Sequence, residues 1–291
     1  MKAVSTRWPE IRRRVRAAGA LALFLDYDGT LTPIVRHPSR ARLSSGTRRL
    51  LRSLSAEEGV WVAVVSGRAL KDVRRMTGVS RICYVGNHGL ELKGPKLRYV
   101  NPMAQKCRPV LRRIARRLNE EVAAIPGAWV EDKGFTLTLH FRQAAPEGKE
   151  LARAVFHSLL RPYQEKKQVR ITAGKEIFEV RPPAHWTKGT VVSWLLAQRA
   201  ALSSGPVLPV YIGDDLTDED AFRALGRRGI SVAVGAGNPL TRAQYRVRSS
   251  SEVVRFLRRL LWEWKLRAER GSNRASRGDQ RRARRHGSRP T

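Results

Sequence analysis

Two cysteines in 291 residues, Cys83 and Cys107, are too few for a disulfide framework and have no metal-ligand spacing. They fit reduced thiols in a cytoplasmic protein. The six histidines are scattered and also lack the spacing of a zinc site. No apolar run approaches the roughly 18 residues of a membrane span, so no membrane partner is expected. The run 12–25 imitates a secretion signal, with basic residues followed by nine mostly apolar ones. It ends in Asp26-Tyr27-Asp28, which cleavage nearby would remove or expose, so a cytoplasmic location is the better expectation. No internal repeat is present.

Acids are scarce as well: 25 Asp and Glu face 57 Lys and Arg, for a net charge of +32. A surface that basic suits nucleic acid, anionic lipid or an anionic small substrate. Aromatic residues are only 7% and do not interleave with the basic ones as single-strand binders require. Residues 265–291 hold ten Lys and Arg against two acids and almost nothing apolar, so a disordered basic tail is expected there. Nucleic-acid binding is expected only non-specifically, through that tail. The remaining basic excess is Arg spread over helix surfaces.

What the chain does have is a buried-strand signal ending in acids. Leu21-Ala22-Leu23-Phe24-Leu25 runs into Asp26-Tyr27-Asp28-Gly29-Thr30, an apolar strand cut off by a polar turn. Ligands of open α/β sheets sit at the carboxyl ends of such strands. Two acids at i, i+2 repel unless a cation or proton lies between them, which suggests a Mg²⁺ site used on phosphate. A capped helix over 44–56 follows, then a strand over 60–65 that ends in Ser66-Gly67-Arg68. A further strand over 82–85 ends in Gly86-Asn87-His88-Gly89.

The pattern then changes. A helix over 105–122, strands over 129–131 and 135–141, a helix over 147–160 and strands over 169–172 and 177–180 form a block bracketed by prolines. The alternation in 136–141 indicates a sheet with one polar face. Core character returns with a helix from Thr187, which puts Lys188 in its first turn, and a buried strand over 207–212. That strand ends in Gly213-Asp214-Asp215-Leu216-Thr217-Asp218-Glu219-Asp220. A strand over 230–234 and a helix over 252–265 complete the pattern. Between them, Val234-Gly235-Ala236-Gly237-Asn238-Pro239 lacks the full glycine spacing of a dinucleotide loop and is expected to be a turn. The fold class expected is α/β, a doubly wound parallel-sheet core with an inserted smaller α+β domain. Its parts are core residues 1–103 and 184–264, an insertion 104–183 and the tail 265–291.

Asp-x-Asp-Gly-Thr-Leu-Thr at 26–32 resembles the start of the haloacid-dehalogenase-like phosphatases. That resemblance gives the polar clusters their expected roles. Asp26 attacks phosphorus to form an aspartyl phosphate. Asp28 protonates the departing oxygen and then deprotonates water, while its backbone carbonyl reaches the metal. Asp26, Asp28 and Asp214 are the expected Mg²⁺ ligands, with Asp215 and Asp218 in support. Ser66 and Lys188 hold the transferring phosphoryl group, with Gly67 and Arg68 beside it. His88 is near by topology, with substrate contact and a structural role both open.

More specifically, the chain is similar to the trehalose-6-phosphate phosphatase family from about Leu21 to Leu261. The match adds Gly86-Asn87-His88-Gly89-Leu90-Glu91, Glu131-Asp132-Lys133-Gly134, His140-Phe141-Arg142 and Glu179-Val180-Arg181-Pro182. His-Phe-Arg departs from the family, which often has Tyr in the middle, and the basic tail has no counterpart. The resemblance implies a Mg²⁺-dependent phosphatase that hydrolyses trehalose 6-phosphate to trehalose and inorganic phosphate, with the insertion as a cap whose Glu131, Lys133, Arg142, Lys175 and Glu179 contact the sugar. A monomer is expected. Alternatives are a phosphatase of another disaccharide or glycosyl-glycerate phosphate, or a non-catalytic regulatory or nucleic-acid-associated protein of the same fold.

Overall fold

The computed structural model describes residues 2–35, 38–203, 205–236 and 240–286, without the side chains of Pro38 and of 270–286. The first elements are β1 (Lys2–Ala3), α1 (Trp8–Ala17), β2 (Ala20–Asp26), α2 (Ser45–Ala56) and β3 (Val60–Val65). Then come α3 (Leu70–Thr77), β4 (Cys83–Gly86), β5 (Glu91–Gly94) and β6 (Leu97–Val100). Next are α4 (Pro102–Val122), β7 (Trp129–Asp132), β8 (Leu137–His140), α5 (Pro146–Glu165), β9 (Arg170–Gly174) and β10 (Ile177–Arg181). The chain closes with α6 (Lys188–Ala201), β11 (Val207–Gly213), α7 (Glu219–Leu225), β12 (Ile230–Val234), β13 (Tyr245–Val247) and α8 (Ser250–His286). Two compact units result: Met1–Val62 with Ser193–Thr291, and Ala63–Val192.

In the first unit, five parallel strands lie in the order β1-β13-β12-β11-β2. All seven residues of β2 are buried, as a strand covered on both faces requires. The basic-then-apolar run near the N-terminus is split in two. Trp8, Ile11 and Val15 bury one face of α1, Ala18 turns extended, and the apolar remainder becomes β2. Trp8 meets Phe256 of α8 edge-on at 6.2 Å. The last helix runs on to His286, where a disordered tail from residue 265 was expected. Arg, Ala and Glu are strong helix formers, and that propensity opposes the lack of apolar residues in this stretch.

The second unit pairs β3 with β4 in parallel and continues as an antiparallel β4-β5-β6 meander. It also contains an antiparallel sheet in the order β7-β8-β10-β9. Asn101 caps α4 by accepting from the Met103 and Ala104 N–H groups, with Pro102 at the first helical position. Leu111, Ile114 and Leu118 of α4 and Phe156 and Leu160 of α5 pack on Leu137, Leu139, Phe178 and Val180. One face of this sheet is therefore core, and the alternating residues face the other way. The expected insertion, 104–183, lies within this unit.

Both cysteines are free and buried, and burial pushes the Cys83 thiol up to about 12, so it stays protonated and inert. Among the described residues, no helix is long and apolar enough to cross a membrane. Residues Gly237, Asn238 and Pro239 of the expected turn lie outside the described residues.

Candidate active site

Neighbouring parallel strands β2 and β11 bring the acids together. Leu25 pairs with Ile212, so Asp26 and Asp214 leave the carboxyl ends of adjacent strands. Among the described residues, Asp26, Asp214 and Asp218 offer oxygens that all lie within 4.8 Å of one another. Asp26 and Asp218 are buried and Asp214 is half-buried. Three carboxylates converging there fit a hard divalent cation such as Mg²⁺, which takes oxygen ligands.

The surrounding bonds fix those acids. Thr30 donates to Asp214 Oδ1 over 3.2 Å. Gly29, with φ of 76°, leaves no room for a Cβ against the Asp214 carboxylate, so a side chain there would displace that carboxylate. Tyr211 donates to Asp218 Oδ1 at 2.7 Å, and the Asp215 N–H donates to Asp218 Oδ2 at 2.9 Å. Burial, with Asp218 nearby, keeps the Tyr211 phenol protonated by raising its pKa well above the usual value. Both Asp218 oxygens are thus already engaged, which suits a supporting role. Asp215 is exposed and accepts from the Leu216 N–H at 2.6 Å, outside the carboxylate group. The Asp28 carboxyl is also outside it; Tyr27-Asp28-Gly29 turns back through Leu31 and Thr32 N–H bonds to the Tyr27 carbonyl.

In the second unit, Ser66 follows β3 and is buried, its Oγ accepting from the Arg68 N–H at 3.2 Å. The His88 N–H donates to the Ser66 carbonyl at 3.0 Å, and the Asn87 N–H to the Arg68 carbonyl at 2.8 Å. A Cβ on Gly67 would come within 2.6 Å of the His88 ring, so a side chain there would push that ring from its place beside Glu179. Lys188 is buried at the start of α6, where Thr187 Oγ1 accepts from the Thr190 N–H at 3.4 Å.

Register across β7, β8 and β10 aligns Glu131, Thr138 and Glu179 in one row. Glu179 is buried, with His88 Nε2 and Lys133 Nζ each 3.3 Å from its Oε1 and Arg181 Nε 3.8 Å from its Oε2. Burial alone would raise the Glu179 carboxyl, but these partners outweigh it and hold it well below the usual carboxylate range. Burial lowers His88, which fits a neutral ring donating from Nε2. Glu131 is bonded by His140 Nε2 at 3.0 Å, and that ring stacks on Trp129 at 4.0 Å. Two buried polar atoms here, Thr138 Oγ1 and His88 Nδ1, have no hydrogen-bond partner.

Of the expected sugar contacts, Glu131, Lys133 and Glu179 gather on this sheet with His88. Arg142 and Lys175 are exposed, and both charges are felt by Glu176, which pairs with Lys149 at 2.6 Å. Asn87, Thr136, His140, Tyr211 and Thr30, which brace the expected site residues, were not themselves expected. Asn87 sat in a motif already singled out, and Thr136 and His140 on a strand already recognised; only pairing reveals their partners.

A family model described as trehalose-phosphatase matches residues 24–251. The chain is 34% identical over 275 residues to a probable trehalose-phosphate phosphatase 4 of Oryza sativa subsp. japonica, covering 92% of this chain and 72% of that one. It is 38% identical over 244 residues to the trehalose-phosphate phosphatase of Mycobacterium tuberculosis, strain H37Rv, covering 82% of this chain but only 61% of that relative. The C-terminal domain of C. albicans trehalose-6-phosphate phosphatase superposes with a TM-score of 0.74 at 26% identity, over 87% of this chain and 96% of that one. A haloacid dehalogenase-like hydrolase from Bacteroides thetaiotaomicron shares the fold, with a TM-score of 0.58 at 17% identity over 83% of this chain and 99% of that one. The α/β fold is that of the haloacid-dehalogenase-like hydrolases, and the chain belongs to the trehalose-phosphatase family.

Proposed function

We propose that the chain hydrolyses trehalose 6-phosphate to trehalose and inorganic phosphate, with Mg²⁺ as cofactor. The observation that carries this is the polar face of the β7-β8-β10 sheet, where Glu131, Lys133, Glu179 and His88 collect in the unit that also holds Ser66 and Lys188. A disaccharide offers hydroxyls and little apolar area, so selectivity calls for charged groups left unpaired by the wrong sugar. In this reading residues 104–183 act as the cap.

Asp26, Asp214 and the Asp28 backbone carbonyl would hold the cation, with Asp218 beside them in support. Bound there, Mg²⁺ supplies positive charge that lets an anionic phosphate approach an anionic nucleophile. Asp26 uses a carboxylate oxygen to attack phosphorus, and the bond from phosphorus to the sugar oxygen breaks. Asp28 donates a proton to that oxygen, so trehalose leaves neutral. The same carboxylate then takes a proton from water, whose oxygen attacks the aspartyl phosphate and releases phosphate and free Asp26. Ser66 and Lys188 are assigned to the phosphoryl oxygens, where a cation and polar hydrogens oppose the developing charge.

Phosphate release from a panel of sugar phosphates, with Mg²⁺ and with a chelator, tests the assignment. The expected result is preference for trehalose 6-phosphate and loss of turnover on chelation. Equal rates across the panel would reject the substrate, and full turnover under chelation would reject the cation.

A further inference from the structure

Asn87 is fully buried, in a left-handed backbone conformation with φ of 48°. Asparagine tolerates that region better than most residues. Every polar atom of its side chain is engaged. Nδ2 donates to Glu91 Oε1 at 2.6 Å and to the Lys133 carbonyl at 3.1 Å, while Oδ1 accepts from Thr136 Oγ1 at 2.8 Å. Its backbone N–H holds the Arg68 carbonyl at 2.8 Å. Glu91 Oε1 also accepts from the Leu70 N–H at 2.8 Å, at the start of α3.

A single residue therefore joins three segments: its carboxamide reaches strand β5 and the 133–136 turn between β7 and β8, and its backbone N–H reaches the 66–70 loop. Two donors and an acceptor at these positions are what a carboxamide offers and a carboxylate cannot. The turn matters because Lys133, its first residue, reaches Glu179. Gly134 and Asp132 tighten it, the Gly134 N–H donating to Asp132 Oδ1 at 2.7 Å. Lys133 N–H closes it onto the Thr136 carbonyl at 3.0 Å.

We propose that Asn87 is a positioning residue whose side chain clamps the 133–136 turn, and with it Lys133, while its backbone N–H holds the loop bearing Ser66 and Arg68 whatever side chain stands there. The inference deepens the proposed activity and rests on it for its effect on substrate. A buried asparagine serving only stability would behave differently. It would lower the melting temperature without changing the ratio of activities on two substrates that share a phosphate but not a sugar.

Two substitutions test the clamp. Thr136→Val keeps shape and removes one donor, and Asn87→Asp keeps shape but turns an oxygen toward Glu91 and the Lys133 carbonyl. Each is expected to lower kcat/KM for trehalose 6-phosphate about tenfold, mainly through KM, and to leave an aryl phosphate within about twofold. In a Lys133→Ala background, Thr136→Val should cost no further activity, because the clamp acts through that lysine. Amide exchange gives a readout independent of any substrate: the Lys133 N–H should exchange about tenfold faster in Thr136→Val, while β8 and β10 amides stay unchanged. Unchanged exchange at Lys133, equal losses on both substrates, or full additivity with Lys133→Ala would overturn the proposal. If the wild-type chain shows no preference for trehalose 6-phosphate, the activity assignment fails, and exchange alone decides the clamp.

Discussion

Tyr211 donates its phenol hydrogen to Oδ1 of Asp218 across 2.7 Å, and both residues are fully buried. The bond holds a carboxylate beside Asp26 and Asp214 where water cannot solvate it. Tyr211→Phe leaves that oxygen without its donor, which costs roughly 1.5–3 kcal/mol for a bond to a charged group. The expected outcome is a lower melting temperature together with a higher Mg²⁺ concentration for half-maximal turnover. A thermal scan without metal and a Mg²⁺ titration of activity measure the two effects separately.

Asp26→Asn should have the opposite effect on stability. Three carboxylates within 4.8 Å repel in the absence of a cation. Replacing one by a neutral amide relieves that repulsion while removing the proposed nucleophile. Turnover should fall by several orders of magnitude, and the metal-free protein should melt at a higher temperature than the wild type. Activity near wild type would reject the aspartyl-phosphate route.

Glu179 carries a pH signature. Its carboxyl is depressed in the folded state, so it contributes stability that is present above the ordinary carboxylate pKa and lost as pH falls through the lower folded value. Glu179→Gln leaves Lys133 and Arg181 without their anion, and breaking a buried pair costs about 3–5 kcal/mol. The gap in unfolding free energy between variant and wild type should be largest near neutral pH. It should narrow below roughly pH 4, where the unfolded carboxyl of the wild type gains its proton. Denaturant unfolding at a series of pH values measures the gap; one that stays constant with pH would mean that Glu179 is not held ionised.

The sequence made legible those features that local patterning controls. Five consecutive apolar residues, Leu21 to Leu25, wrote β2 plainly, and Leu137 and Leu139 alternating with Thr138 and His140 wrote the two-faced strand β8. The acids at the ends of β2 and β11 could be placed because strand ends mark ligand positions in such sheets. Short elements escaped. β5 and β6 are four residues each with mixed polarity around Gly94-Pro95, and β13 has only three residues, too few for a period to emerge. The start of α4 was placed late because Asn101 and Pro102 resemble a hinge as much as a cap. Within the site, identity was legible but pairing was not. Nothing local to Asn87 indicates Thr136, which lies 49 residues away, and nothing in Glu131 selects His140 until the strand register is known.

That register frames the last prediction. Glu131 is held by His140 and sits in the same row as Glu179, yet it is distant in role from the acids on β2 and β11. If it grips only the sugar, Glu131→Ala removes one charge-assisted hydrogen bond, worth roughly 1.5–3 kcal/mol or about tenfold to a hundredfold in rate. The kcat/KM for trehalose 6-phosphate should fall by that factor. An aryl phosphate has no sugar hydroxyl to offer, so its turnover should hardly change. His140→Phe keeps the stack on Trp129 but frees Glu131, so it should show a weaker version of the same split. Equal losses on both substrates would move Glu131 from the sugar to the support of the sheet, and would leave Lys133, Glu179 and His88 as the groups that distinguish one sugar from another.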